Sequence, residues 1–366
     1  MKRERPLVIP VFAPQEGCPH RCVYCDQRTI TGVTRPNWSR ASLQAHVEDF
    51  LTRSRRYPVE VAFYGGSFTL LPETRQAFYL EAVQGFLQQG RVQSLRLSTR
   101  PDAVSARSLG FLHAMGVRTI ELGVQSLNDR VLAASARGYT SVEVFQATRH
   151  LRDYRFRVGF QLMPGLPGED RGTFLETIDK STAIRPDFVR LYPTVVLSGT
   201  LLEDLYRRRS YRPLSLPEAV DWCKEALLRF ARNSIPIIRM GLQTTPSLER
   251  PGAIVAGPHH PAFGQLVKSA LWYDRISSDL AEVSRHSPEP IIRVHPSDLA
   301  DVRGHRNGNL SRWLTEMSLP WLEVASSPEI PPGEFRVADE NRGVRCPLSV
   351  VSRKEGCRAQ GTRRKA

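Results

Sequence analysis

Six short apolar runs, each bounded by turn-forming residues, limit what this chain can fold into more than any other feature of it. They are LVIPVFAP (7–14), VEVAFYG (59–65), SLRLST (94–99), VRTIELGV (117–124), RFRVGFQLM (155–163) and PDFVRLYPT (186–194). Segments with helical spacing of apolar residues lie between them, at 42–53, 72–89, 103–115, 141–153 and 172–183. A strand, a crossover helix and a second strand put the two strands side by side and parallel, because a tight turn cannot connect parallel neighbours. Repetition of that unit predicts an α/β fold with one parallel sheet and helices on its outer face.

Six units are too few for a closed eight-unit barrel and suit a partial TIM-like (βα)6 barrel over residues 1–245. Functional groups in that architecture sit at the carboxyl ends of the strands. Beyond Met240 the texture changes to the Pro- and Gly-rich TTPSLERPGAIVAGPHHPAFG and then to a shorter mixed pattern, which predicts a C-terminal α+β extension over 246–340. Residues 341–366 hold few large apolar side chains and many like charges, and are expected to be disordered.

The formal charge of +14 favours an anionic partner such as nucleic acid, attracted through a salt-sensitive field. About half of that excess lies in the last 25 residues, which carry eight basic side chains and one acidic one, so the folded part is only moderately basic. No stretch nears the roughly 18 uninterrupted apolar residues that a bilayer helix needs, and Pro10 and Pro14 interrupt the N-terminal segment before any leader cleavage pattern. A cytoplasmic protein without membrane association is expected. Six cysteines in 366 residues, three of them packed between 18 and 25, do not make a disulfide framework; so tight a group inside a cell is metal-binding or catalytic.

Those three cysteines follow the first strand in GCPHRCVYCDQ, with CxxxCxxC spacing. On so short a loop Cys18, Cys22 and Cys25 can hold three irons of a [4Fe-4S] cluster and leave the fourth open to a small ligand. The competing assignment is a zinc site completed by His20, since zinc takes four nitrogen or sulfur ligands. His20 lies too close in sequence to Cys18 and Cys22 to close a tetrahedron comfortably. On the cluster reading the three cysteines are ligands rather than nucleophiles.

This loop, with an aromatic residue directly before its third cysteine, resembles that of the radical S-adenosylmethionine (SAM) superfamily. The resemblance implies that the amino and carboxylate groups of SAM chelate the open iron and that Tyr24 lies against the adenine; packing of the loop is the other role open to such an aromatic. In FYGGSFT it implies that Gly65 and Gly66 receive the methionine amino group through backbone carbonyls, a close approach that glycine permits. Ser67 stands where many members carry an acidic residue, which leaves the partner of the amino group open. ELGVQSLND supplies Gln125 and Ser126, suited to a ribose hydroxyl or a carboxylate, or else to ordinary capping. FQLMPGLPGE is similar to the family's adenine-binding segment, with Leu162 and Met163 on the base and Gly165 and Gly168 keeping the backbone near, although Met at a strand end also serves as core filler. Arg190 would pair with the SAM carboxylate through a bidentate fork, or else form an ion pair within the protein.

The segments CPHRCVYCDQ, FYGGSFT, STRPD, ELGVQSLND, FQLMPGLPGE and RLYPTVVLSGT together look most like the radical SAM half of the Elongator catalytic subunit family and its shorter bacterial relatives, over about residues 7–245. Oxygen-independent coproporphyrinogen oxidases share the cysteine spacing and parts of the core. The Elongator subunit has a wider cysteine spacing and a following acetyltransferase domain for which this chain leaves no room, so acetyl-CoA-dependent chemistry on tRNA is not expected. The chemistry implied is one-electron reduction of the cluster by a flavodoxin or ferredoxin, cleavage of SAM to methionine and a 5′-deoxyadenosyl radical, and hydrogen abstraction from a substrate. Three readings stay open: a tRNA- or RNA-directed enzyme, an enzyme of a small metabolite or tetrapyrrole, and a nucleic-acid-binding protein whose cluster is structural or sensory. No side chain is assigned as substrate acid or base.

In the extension, His259 and His260 are candidates for acid–base or substrate-binding groups, or for a structured turn between prolines. The stretch IIRVHPSDLADVRGHRNGNLSRW is similar to the glycine turn between helices of KH-type RNA-binding modules. Cys346 and Cys357 have no neighbours with which to build a second cluster, and Cys223 stands alone.

Overall fold

The computed structural model of the chain describes residues 6–18, 22–33 and 38–339. Its first strands are β1 (Leu7–Phe12), β2 (Val59–Tyr64), β3 (Ser94–Thr99), β4 (Val117–Gln125), β5 (Arg157–Leu162), β6 (Phe188–Leu191), β7 (Val196–Leu197), β8 (Ile237–Met240) and β9 (Ile254–Ala256). β1 to β6 pair in chain order, all parallel, and β8 adds a seventh strand beside β6. The sheet curls into a half-barrel, the partial TIM-like architecture expected. β7 and β9 form a separate antiparallel pair.

The strand β8 is one more than the repeat predicts. Its four residues, IIRM, lie between Pro236 and Gly241, too short a run to stand out where the texture of the sequence changes. The expected helices form, and side-chain caps fix where several of them start: Ser39 with Ser42, Thr140 with Glu143, Asp170 with Thr173 and Ser215 with Glu218 satisfy each other's end groups reciprocally. The helical pattern over 72–89 breaks at Val83 into Glu73–Ala82 and Gln84–Gln88. Helix Leu216–Arg232 buries Ala219, Trp222, Cys223, Ala226 and Phe230 along one stripe, and Trp222 stacks on Phe174 at 5.5 Å.

Strands of a parallel sheet are usually apolar on both faces. Here the outward residues Leu95, Leu97, Ile120, Leu122, Val158, Val189 and Leu191 are fully enclosed, while Arg96, Glu121, Gln161 and Arg190 line the concave side. The half-barrel therefore has an apolar back and a polar interior, which prepares it for polar contents.

By compactness the chain divides into residues 1–264 and 265–366, whereas the change of texture places the junction at 245. Pairing of β9 with β7 keeps 254–256 in the first unit. In the second unit, β10 (Pro290–Val294) lies between β11 (Glu323–Ser326), to which it is parallel, and β12 (Phe335–Asp339), to which it is antiparallel. Its core is built on Trp272, Ile276, Ile292, Val302 and Trp313, with Tyr273 stacked on Trp313 at 5.3 Å. The segment GHRNGN connects helices Leu299–Arg303 and Gly308–Glu316, with Arg306 and Asn307 both at positive φ. The tail expected to be disordered, with Cys346 and Cys357, lies outside the described residues, as does His20.

Candidate functional site

The concave face of the half-barrel bounds a cavity of about 1380 Å³. At its upper rim the turns after β1 and β2 are laced together. Ala13 N–H donates to Tyr64 O (2.8 Å), Gln15 N–H to Gly65 O (2.7 Å) and Ser67 N–H to Glu16 O (2.9 Å). A Cβ on Gly66 would run into the carbonyl oxygen of Glu16, and one on Gly17 (φ +72°) into that of Ser67, so both positions require glycine for this backbone contact. The Glu16 carboxylate is held in turn by Arg75 at 3.1 Å and by the Tyr79 hydroxyl. The start of the cysteine loop is thus fixed to the glycine turn before the first cysteine is reached.

All three thiols line the cavity: Cys18 exposed, Cys22 buried and Cys25 half-buried. The Cys18 sulfur is 3.6 Å from Ser67 Oγ. Burial, and after it the neighbouring Cys22 and Cys18, push the Cys25 thiol up to about 12, so its thiolate needs a positive counterpart. A set of sulfurs without carboxylates suits iron or zinc rather than hard cations. Among the described residues no group of three His, Cys, Asp or Glu side chains could hold a single metal ion between them. Three sulfurs lining one cavity, one for each of three irons, fit the cluster implied by the loop spacing.

Arg137, which no motif singles out, sits beside the second thiol. Its Nη1 donates to Cys22 Sγ and to the Tyr24 hydroxyl, both at 3.0 Å; Nη2 donates to Gly123 O at 2.6 Å and Nε to the Tyr139 hydroxyl at 3.0 Å. Burial alone would lower its pKa, but Tyr139, Tyr24 and Cys22 outweigh burial and raise it well above the usual value. Arg137 is only 5 % exposed and has no carboxylate partner among the described residues, so its charge is available to an anionic sulfur or ligand. Tyr24 is buried in the same cluster as Val131 and Met163, and its own pKa is raised by burial.

Gly65, Gly66, Ser67, Gln125, Met163 and Arg190 line the same cavity as the cysteines and Tyr24. Ser126 does not. Its hydroxyl lies 3.1 Å from Thr177 Oγ1, donates to Glu169 at 3.4 Å and accepts from Asn128 N–H at 3.2 Å, which is the capping role. Glu121, Gly123 and Gln125 face the cavity in turn along β4, and the same alternation puts Ser126 on the opposite face. Leu162 is buried away from the cavity wall, and the close approach at Gly165 is to Leu214 rather than to the cavity. The N–H groups of Gly165 and Leu166 donate to Glu169, whose carboxyl burial pushes up to about 8 against those donors. His259 and His260 lie off the cavity wall in a turn, where His259 N–H donates to Gly257 O at 2.9 Å and burial lowers the His259 pKa.

The Arg190 fork is engaged within the protein instead of being free for a carboxylate of SAM. Its Nη2 donates to Glu121 Oε1 at 2.9 Å and to the Tyr64 hydroxyl at 2.8 Å, and its Nη1 to the Tyr192 hydroxyl at 3.1 Å. Glu121 also accepts from Arg96 at 2.7 Å, and Arg96 pairs in turn with Glu60. This network joins four strands across the concave face, with burial and then Glu121 raising the Tyr64 pKa. A signal for it stands in the sequence: a charge set between two apolar residues within a strand, as Arg96 in SLRLST and Glu121 in VRTIELGV.

The family model described as the radical SAM superfamily matches residues 12–180, and that of the radical SAM C-terminal domain matches residues 186–273. The chain belongs to the radical SAM superfamily. Within it, the chain is similar to the tRNA uridine(34) acetyltransferase of Methanocaldococcus jannaschii, 25% identical over an alignment of 271 residues that covers 63% of this chain and 49% of that protein. It is also similar to human Elongator complex protein 3, 29% identical over 264 residues, 58% of this chain and 48% of that one. The chain thus spans about half the length of the curated relatives it matches. Among solved structures, the archaeal Methanocaldococcus infernus Elp3 with an N-terminal deletion shares the fold, with a TM-score of 0.58 and 21% identity over 75% of this chain and 63% of that one.

Proposed function

We propose that this chain is a cytoplasmic radical SAM enzyme that takes its electron from a flavodoxin or ferredoxin and acts on RNA, with tRNA as the substrate class. The observation that carries this reading is a single cavity faced by three thiols, a glycine turn, a buried guanidinium without a carboxylate partner among the described residues and a polar, arginine-bearing concave wall. A [4Fe-4S] cluster bound there supplies the electron that cleaves SAM reductively. Cys18, Cys22 and Cys25 hold it; Tyr24, Gly65, Gly66, Ser67, Gln125 and Met163 border the space for SAM; Arg137 sets a positive charge against the sulfur side. Support for RNA comes from the similarity to a tRNA uridine(34) acetyltransferase and from the basic balance of the chain. No helix among the described residues is long and apolar enough to cross a membrane.

The test is anaerobic reconstitution followed by reduction with dithionite in the presence of SAM and specifically deuterated tRNA. Deuterium in the 5′-deoxyadenosine is expected. Turnover of SAM without label from tRNA would move the assignment to a small metabolite or tetrapyrrole. An intact cluster with no SAM cleavage at all would leave only a structural or sensory cluster.

A further inference from the structure

Arg190 on β6 and Arg239 on β8 are register partners, and both line the cavity. Their charges are balanced unequally. Arg190 and Arg96 are balanced by Glu121 and Glu60. Arg239 donates to the amide oxygen of Gln243 at 2.8 Å and has no carboxylate partner among the described residues. The Arg190 Nε is enclosed and has no hydrogen-bond partner. Buried donors in native proteins are nearly always paired, so an orphan donor on Arg190, with a guanidinium lacking a carboxylate on its register partner in the same cavity, calls for an anionic acceptor.

The position is informative as well. β8 is the last strand of the sheet, so Arg239 lies on its edge strand and Arg190 on the strand beside it. The loop that carries Gln243 also reaches the segment following the third cysteine: Thr245 Oγ1 donates to Ile30 O at 3.3 Å, in helix Gln27–Thr31. An anion held at the pair would therefore be placed relative to the cysteine loop by one short stretch of chain.

We propose that Arg190 and Arg239 form an oxyanion subsite at the β8 edge of the half-barrel that takes a phosphate of the substrate, with Arg239 as its specificity-determining residue. This rests on the reading that the cavity is where the substrate of a radical SAM enzyme enters. Planar guanidinium donors match phosphate oxygens in pairs, whereas an ammonium gives a point charge, so lysine should replace Arg239 only in part. The phosphate belongs either to a polynucleotide backbone or to a small phosphorylated compound.

The experiment compares the reconstituted full-length protein with its Arg239→Ala and Arg239→Lys variants and with Arg232→Ala, an exposed arginine of helix Leu216–Arg232. Binding of tRNA is measured over a range of salt, and inorganic phosphate is used as competitor. Arg239→Ala should weaken tRNA binding roughly tenfold at low salt and reduce the salt slope by about one, with Arg239→Lys in between and Arg232→Ala close to the unchanged protein. Weaker phosphate competition with unchanged tRNA affinity would keep the subsite and assign it to a small phosphorylated compound. Equal affinities for both probes would overturn the proposal, as would equal losses in Arg239→Ala and Arg232→Ala, which mark a general field. Loss of SAM binding in Arg239→Ala with the cluster intact would give the pair to SAM and also overturn it. Failure of the parent reading looks different, because the unchanged protein would then hold no cluster or cleave no SAM.

Discussion

Nη1 of Arg137 lies 3.0 Å from the sulfur of Cys22 and the same distance from the hydroxyl of Tyr24. A cation fixed beside a ligand sulfur stabilises the more negative state of whatever that sulfur holds, because charge and hydrogen bonds at the sulfurs tune cluster potentials. Replacing Arg137 by Gln should move the midpoint of the bound cluster to more negative potential, on the order of 50 mV, close to the 59 mV of one tenfold step in a one-electron couple. Arg137→Lys should retain part of the effect. Potentiometric titration followed by electron paramagnetic resonance reads it, and equal midpoints in all three proteins would remove this role.

Cys18, Cys22 and Cys25 line one cavity, while Cys223 is buried within helix Leu216–Arg232. Reconstituted protein should contain about four irons and four sulfides per chain. Replacement of any of the three by Ala should abolish the visible absorbance of the cluster. Cys223→Ala should keep it. Equal loss in Cys223→Ala would remove the assignment.

Gly66 is a glycine because the Glu16 carbonyl occupies the place of a Cβ. Gly66→Ala should push the cysteine loop off the glycine turn and reduce iron content severalfold, while far-ultraviolet circular dichroism stays close to that of the unchanged protein. Gly85, where a Cβ would meet nothing within 4 Å, is the control, and Gly85→Ala should keep full iron content. In a helix the change should also add up to about 1 kcal/mol of stability.

Glu121 is the shared acceptor of Arg96, Arg190 and Tyr64. Removing one member of a buried charge network leaves the others uncompensated, which costs about 3–5 kcal/mol. Glu121→Gln keeps the shape and should lower the unfolding free energy of the protein, read from denaturant titration, by an amount in that range. A change within the scatter of surface substitutions would show that solvent already compensates the network.

The Glu169 carboxyl, pushed up to about 8 chiefly by burial, binds its proton more tightly in the folded state than in the unfolded chain. Between the unfolded value near 4.3 and about 8 the folded protein holds the extra proton, so its contribution to stability falls as pH rises, on the order of 1 kcal/mol per pH unit. Glu169→Gln should flatten the dependence of the melting temperature on pH across this window and gain most at its alkaline end. Parallel pH profiles for the two proteins would contradict it.

The sequence by itself determined what depends on near neighbours along the chain. Alternation of strands and helices required a parallel sheet, and three cysteines within eight residues required a common site. Glycines at 65 and 66 marked a turn where backbones meet. Tertiary structure decided what depends on distant partners. Arg137 is 115 residues from Cys22, and Arg190 is 69 from Glu121, so neither role is visible in local spacing. The strand IIRM has a place in the sheet only because β6 offers it an edge. Ser126 parts from its neighbour Gln125 because successive side chains of a strand take opposite faces, and only the curl of the sheet decides which face bounds the cavity.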